Sequence, residues 1–283
     1  MIIRNPLQWG VEHFRVPTSP AWSGGGTEAA RSTALPEVRR IQPADLKGVV
    51  AQGLGDFGAY RSDVIFLCIL YPLIGVVLAR AAAGYDMLPL VFPLASGFAL
   101  VGPLAAMGLY EMSRQREQGQ QVSWATPFGV MASPSFGSIA LLGLLLAAIF
   151  VLWLIAASVI YRFTLGPQPP ASVASFVRDV FTTGPGWAMI VIGMSVGFLF
   201  ALLALSISVV SFPLLLDREV GLGTAIRTSI RAVMENPVTM AAWGLVVAGG
   251  LVIGSLPLFV GLAIVLPVLG HSTWHLYRAL VPR

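Results

Sequence analysis

The sequence predicts an all-α integral membrane protein, and the amount and placement of charge carry that prediction. Charged residues make up 11% of the chain, whereas a soluble domain usually has about 25%. If histidine is counted as neutral, residues 118–161, 180–216 and 236–277 contain no charge at all. A helix needs about 20 mainly apolar residues to cross the hydrocarbon core of a bilayer. Each uncharged stretch is therefore long enough for at least one transmembrane span.

Six spans account for the apolar sequence, within a membrane domain that covers residues 43–283. They are predicted at about 64–83, 87–110, 137–161, 187–213, 238–255 and 257–277. The last two must be separate, because one helix over 236–277 would be about 63 Å long against a hydrocarbon core of about 30 Å. Gly254, Ser255 and Pro257 are typical of a tight turn at that point.

Residues 1–42 are predicted to form a flexible N-terminal tail, because 18–37 is rich in Gly, Ser, Thr, Ala and Pro. Leu7, Trp9 and Phe14 lie near its start. These apolar side chains are candidates for contact with a partner protein or with lipid headgroups.

An amphipathic helix is predicted between the tail and the first span, at 43–57. Its apolar face consists of Leu46, Val49, Val50, Gly53, Leu54 and Phe57. Lys47, Gln52 and Asp56 are expected to point away from that face. The segment is too polar to cross the bilayer, so we expect it to lie in the membrane interface.

A second amphipathic helix is predicted at 220–236, just before the fifth span. Its apolar face consists of Leu222, Ile226, Ile230 and Val233. Arg227, Arg231 and Glu235 are spaced four apart on another face, a spacing that allows an ion pair along the helix.

The positions of Lys and Arg predict the topology. With six spans, fourteen of the 17 Lys and Arg residues lie on the side of the two termini, and only Arg80, Arg162 and Arg178 lie on the other side. Positive charge is retained on the cytoplasmic side of membrane proteins, so both termini are predicted to be cytoplasmic. The net charge of +4 comes without a dense basic run, and we expect no nucleic-acid partner.

His271 and His275 are the most conspicuous candidates for chemistry. Four residues apart, they share a helix face, as two metal ligands on one helix would. Glu111 is the nearest third ligand by predicted depth, and no other span contains a histidine for a bis-histidine haem. We therefore expect no metal or cofactor. Instead, Trp274, Tyr277 and Arg278 are predicted to anchor the end of the sixth span at the membrane interface.

Other classes of function find little support in the sequence. The predicted span centres contain no ionisable residue, which argues against a proton pump. The chain has no G-x-S-x-G, P-loop or H-E-x-x-H motif, and we expect no enzyme.

Gly193-xxx-Gly197 and Gly250-xxx-Gly254 match the small-residue pattern of packed membrane helices. These helix faces are a second possible contact surface for a partner protein.

Three phrases carry a resemblance to a known family: GLYEMSR (108–114), SFPLLLDREVG (211–221) and GHSTWHLYR (270–278). With their surroundings, over about 35–283, they resemble the bacterial membrane proteins of domain of unknown function 2189. That family has no assigned activity or site residues, so the resemblance implies a bacterial inner-membrane protein and nothing finer. Some members are labelled cytochrome c oxidase subunits, but three histidines cannot supply an oxidase core.

We interpret the chain as a non-catalytic accessory or scaffold component of a membrane complex. One alternative is a transporter or channel for a small or lipid-like solute, which a continuous pocket between the spans would favour. The other is a subunit of a redox complex, which a haem absorption band would reveal.

Overall fold

The computed structural model describes residues 35–59, 85–123, 126–257 and 260–283, which belong to one compact unit. Regular structure in these residues is entirely helical. Ten α-helices lie within them: α1 (Leu46–Ala59), α2 (Val91–Ala105), α3 (Met107–Glu117), α4 (Phe136–Thr164), α5 (Val173–Thr182), α6 (Gly184–Ser208), α7 (Ser211–Asp217), α8 (Leu222–Glu235), α9 (Pro237–Ser255) and α10 (Leu262–Leu280). Short 3₁₀ helices cover Pro43–Asp45, Tyr85–Leu90 and Thr126–Ala132.

Three helical segments in the described residues are long and apolar enough to span a membrane: α4, the run Gly184–Asp217, and α9. A fourth is present if the bent pair Leu88–Gly97 and Ala99–Ala105 is one span. The integral-membrane class is thus supported, but six spans are not confirmed. The predicted span at 64–83 lies outside the described residues. The helix at the predicted sixth span, α10, does not reach the same apolarity, because its second half is polar from His271 to Arg278.

Prolines explain why two predicted spans are interrupted. Pro103 lies inside α2, and its ring conflicts with the carbonyl of Ala99, where the helix bends by 40°. Pro213 cannot donate a hydrogen bond to the Val209 carbonyl, and α6 gives way to α7 at Val209–Val210. The freed Val210 N–H donates to the Ser229 hydroxyl of α8 at 3.2 Å. The break is therefore stabilised by a neighbouring helix.

The packing of α2, α4 and α6 is organised around Trp153 of α4, which is buried. Its indole N–H donates to the Pro93 carbonyl of α2 at 3.0 Å. A Cβ added at Gly97 would overlap the Phe150 ring of α4 and lie 3.0 Å from the Trp153 ring, and one at Gly197 of α6 would be 3.1 Å from the Trp153 ring. The two glycines thus provide space for the aromatic rings of α4.

A strap precedes α1, formed by residues 35–42. The Arg39 N–H donates to the Leu280 carbonyl at 2.8 Å. The Asn236 side chain accepts from the Ile41 N–H at 2.8 Å and donates to the Arg39 carbonyl at 3.1 Å. The Thr239 hydroxyl donates to the Ile41 carbonyl at 2.8 Å. Residues 35–42 of the predicted tail therefore belong to the packed protein, while 1–34 lie outside the described residues.

The helix at the first amphipathic segment, α1, packs against α10, but its faces differ from the prediction. Leu46, Val49, Gly53 and Asp56 are its buried residues. The expectation that Asp56 points away from the packed face is wrong, because partners from α3 and α10 bind its carboxylate. Leu54, assigned to the apolar face, is exposed.

The second amphipathic segment folds as α8, close to prediction. Leu222, Ile226, Ile230 and Val233 are partly buried against the core. The predicted pairing along the other face forms between Arg231 and Glu235 at 2.6 Å.

Candidate functional site

Polar side chains converge where α1, α3, α7 and α10 meet at one end of the helices. We call this set the polar network. Its members are Asp56, Glu111, Ser113, Arg114, Arg116, Glu117, Asp217, His271, Trp274, His275, Tyr277 and Arg278. Close contact of α1, α3 and α7 with α10 brings these groups together.

Asp56 is the centre of one half of the network, although it is only 5% exposed. Its Oδ2 accepts from the Ser113 hydroxyl at 2.6 Å and lies 2.9 Å from the His275 Nε2. Its Oδ1 accepts from Arg116 at 2.7 Å. Burial alone raises the pKa of Asp56, but hydrogen bonds from His275 and Ser113 and the charges of His275 and His271 bring that pKa below its ordinary value. The carboxylate is therefore held in its ionised form.

His271 is fully buried and joins Asp56 through Ser113. The His271 Nδ1 lies 2.8 Å from the Ser113 hydroxyl oxygen. Because Ser113 has one hydroxyl proton and gives it to Asp56, the His271 Nδ1 must be the donor in this contact. Its Nε2 is buried without a hydrogen-bond partner. The His271 Nδ1–H therefore donates to the Ser113 hydroxyl oxygen, and the Ser113 hydroxyl donates to the Asp56 carboxylate.

This order differs from that of a serine hydrolase. In a catalytic triad the histidine lies between serine and carboxylate and accepts the serine proton. Here Ser113 lies between His271 and Asp56, and its hydroxyl already donates to the carboxylate. Ser113 is also buried, out of reach of a substrate. The geometry stabilises the contact between helices and does not activate a nucleophile.

The three residues weighed as metal ligands do not form one site. His271 and His275 both approach Asp56. Glu111 instead accepts two hydrogen bonds from Arg114, at 2.8 and 2.9 Å, and one from Gln115 at 2.8 Å. Within the part of the chain that the structure describes, no group of three or more His, Cys, Asp or Glu residues is arranged to hold a metal ion.

The predicted interface anchor forms the other half of the network. Asp217 accepts from the Tyr277 hydroxyl at 2.7 Å and from Arg278 at 2.8 and 2.9 Å. Glu117 accepts from the Trp274 indole at 3.1 Å and from Arg278 at 2.9 Å. The guanidinium of Arg278 also lies 4.9 Å from the centre of the Trp274 ring. Trp274 and Tyr277 are fully buried, so these residues join α10 to α3 and α7.

A cavity of about 310 Å³ lies beside the network. Glu111 and Arg114 of α3 line it together with 129, 132–135 and 215–219. Its walls are thus the ends of helices and the loop before α4, so the cavity lies at the polar end and not midway along the spans.

Sequence reasoning singled out the histidines but missed their two main partners. Hydropathy periodicity assigned Asp56 to the polar face of α1, since a carboxylate is normally exposed. One signal pointed the other way: Asp56 follows Gly53 by three residues and therefore shares its helix face. Ser113 had no signal of its own.

Residues 91–217 match the model of a family described as "predicted integral membrane protein (DUF2189)". No curated protein and no solved structure matches the chain. The matched segment contains Glu111, Ser113, Glu117 and Asp217 of the polar network. It excludes α1 and α10, which carry Asp56 and the two histidines.

Proposed function

We propose that the chain, whose residues 91–217 match the model for predicted integral membrane proteins of domain of unknown function 2189, is a non-catalytic component of a membrane complex. One observation carries the proposal: the buried ionisable groups pair with one another. Glu111 is saturated by Arg114, Asp56 by Arg116 and the histidines, and Asp217 by Arg278. A catalytic acid or base must come within hydrogen-bond reach of its substrate, and Asp56, Glu111 and His271 are buried.

The apolar surface of the spans supports the same proposal. In the most apolar stretch of Gly184–Asp217, 6% of the residues are buried inside the protein. Phe198 and Leu199 of α6, Leu152 of α4 and Leu245 of α9 are among the exposed side chains. Lipid alone can cover such a surface, but so can the helices of a second membrane protein.

The orientation is part of the proposal. Arg114, Arg116, Arg278 and Arg283 lie at the end that contains the polar network, while Arg162 lies at the far end of α4 and Arg178 lies within α5, which follows it. By the positive-inside rule we place the network at the cytoplasmic face of a bacterial inner membrane. A green fluorescent protein fused after Arg283 tests this placement, because it fluoresces only on the cytoplasmic side.

Site-specific photo-crosslinking in native membranes tests the proposal itself. A photoreactive residue is introduced at Leu199, Leu152 or Leu245, with the gene expressed from its own promoter. We expect one position to yield a discrete adduct with a single protein, and a bulky substitution there to dissociate that protein. The proposal is wrong if all three positions yield only lipid adducts and the native chain migrates as a lone protein in mild detergent.

A second candidate is a transporter or channel for a small or lipid-like solute, which the cavity supports only as a binding site at one end of the spans. Glu111 and Arg114 provide paired charges at its wall. A Glu111→Gln variant that folds normally and loses a measurable solute flux across proteoliposomes would support transport. Equal fluxes for both proteins would leave the cavity without a transport role.

A further inference from the structure

Helix α5 exposes an apolar stripe that no other described part of the chain covers. Val173, Val177 and Phe181 are spaced four apart and are 55%, 48% and 59% exposed. At 100° per residue they occupy one side of the helix. Arg178 and Thr182 lie about 100° and 140° around the helix from Val177 and are exposed as well. α5 is thus strongly amphipathic, with an apolar half that faces out of the protein.

The other apolar residues of α5 fix the helix to its neighbours. Val180 is buried, and the ring of Phe176 lies 6.3 Å from that of Tyr161 on α4, edge-on. A sharp corner joins α5 to α6: the Thr183 hydroxyl accepts from the Gly186 N–H at 3.0 Å. A Cβ at Gly186 would overlap the backbone carbonyl of Val180. The stripe is therefore held in one orientation.

The stripe lies at the opposite end of the spans from the polar network. α4 starts beside the cavity at Phe136 and ends at Thr164, and its 29 residues make it about 43 Å long. α6 begins directly after α5, and the run ends at Asp217, a member of the network. α5 is thus close to one membrane surface and the network to the other.

Exposed aromatic side chains extend the stripe toward the spans. Phe163, near the end of α4, is 87% exposed, and Trp187, in the first turn of α6, is 54% exposed. The Trp187 indole donates to the Phe181 carbonyl at 3.0 Å, which holds the ring beside the stripe. Trp is enriched where membrane helices leave the hydrocarbon. At Trp187 the apolar surface of α5 thus adjoins the exposed apolar surface of α6.

We propose that α5 lies in the membrane interface and inserts Val173, Val177 and Phe181 into the acyl-chain boundary of the leaflet opposite the polar network. Its occupant is lipid, because Trp187, which donates to Phe181 of the stripe, lies at the start of α6 and so places the stripe at the level where a span leaves the hydrocarbon. Arg178 and Thr182, which flank the stripe, then face headgroups and water.

Quenching of a fluorescent label tests the position of the stripe. The one cysteine, Cys68, is first replaced by serine. Val177→Cys places a bimane label on the stripe, and the matched control, Arg178→Cys, places it on the polar side one residue away. Both proteins are reconstituted in nanodiscs of phosphatidylethanolamine and phosphatidylglycerol. The quenchers are a lipid with a nitroxide at carbon 5 of its acyl chain and, in water, iodide.

We expect the label at 177 to be quenched by the nitroxide lipid and several-fold less by iodide than the label at 178, which should show the reverse. Equal iodide quenching at both positions overturns the proposal, because the stripe then faces water. Protection at 177 from both quenchers overturns it as well, because protein then covers the stripe. If Val177→Cys lowers the thermal midpoint, Phe181→Cys provides the same measurement.

Discussion

Asp56 and His275 are 219 residues apart in the chain, yet the Asp56 Oδ2 and the His275 Nε2 are 2.9 Å apart. The contact joins the first described helix, α1, to the last, α10. A buried carboxylate is costly unless its oxygens are all satisfied. Ser113 and Arg116 of α3 complete that requirement. One carboxylate thereby links three helices, and the polar network determines how they pack.

Asp56→Asn should destabilise the protein by about 1–3 kcal/mol, because the amide cannot accept all the hydrogen bonds that the carboxylate accepts. Asp56→Ala should cost more, about 3–5 kcal/mol, since it removes the buried carboxylate that Arg116 and His275 both bind. Thermal or denaturant unfolding in detergent measures both changes. Asp179→Asn is the matched control, because the Asp179 side chain is 45% exposed, and it should stay within about 0.5 kcal/mol. Equal effects at both positions would contradict the role of the network.

The lowered pKa of Asp56 predicts a pH dependence of stability with a definite sign. In the unfolded chain an aspartate titrates at about 3.9, and in the folded protein Asp56 titrates below that. The ionised Asp56 carboxylate therefore stabilises the folded protein fully above about pH 4, and this stabilisation is lost as the pH falls through the folded pKa. The difference in unfolding midpoint between wild type and Asp56→Asn should shrink as the pH is lowered from 7 to 3. A constant difference over this range would contradict the prediction.

The class of the protein could be predicted from the sequence because lipid exposure imposes long uncharged stretches. α4 and α9 match their predicted spans to within a few residues for that reason. It could also be predicted that the second and fourth spans are interrupted, since Pro103 and Pro213 are incompatible with a continuous helix. The partner that binds the freed backbone group depends on tertiary packing and has no local signal in the sequence. Ser229, which accepts from the Val210 N–H, is an example.

The network was harder to predict because hydropathy treats every carboxylate as exposed. Asp56 is buried since its partners come from helices far away in sequence, α3 and α10. The same applies to Trp274 and Tyr277, whose amphipathic rings are equally suited to a membrane interface and to carboxylate partners inside the protein. The sequence therefore indicates which kinds of group these side chains can bind, but it does not indicate which residue each of them contacts in the fold.

Asn236 should control whether the strap at 35–42 stays attached. Its amide binds both the Ile41 N–H and the Arg39 carbonyl, so Asn236→Ala removes two contacts at once. We expect trypsin to cleave after Arg39 or Arg40 several-fold faster in the variant, as measured by mass spectrometry of short digests. Thr239→Ala removes a single contact to the Ile41 carbonyl and should have a smaller effect. Unchanged cleavage in Asn236→Ala would show that the strap is held elsewhere.

Gly53 should be irreplaceable, because α1 and α10 touch at this position. A Cβ there would overlap the Ser272 hydroxyl and would lie 2.8 Å from the Ser272 nitrogen and 2.9 Å from the Val268 carbonyl oxygen. Backbone atoms cannot rotate away, so the helices must separate, and the Asp56 contacts one turn later must lengthen. Gly53→Ala should therefore cost at least about 1–3 kcal/mol.

The same helix provides the control for Gly53. A Cβ at Gly55 meets nothing within 4 Å, and alanine is the better helix former by about 1 kcal/mol. Gly55→Ala should therefore leave the unfolding midpoint unchanged or raise it. If Gly53→Ala lowers the unfolding midpoint and Gly55→Ala raises it, the loss at Gly53 comes from the packing of α1 against α10 and not from helix propensity. If Gly53→Ala were as stable as Gly55→Ala, α1 could not contact α10 at Ser272, and the network built on Asp56 would lose its geometric basis.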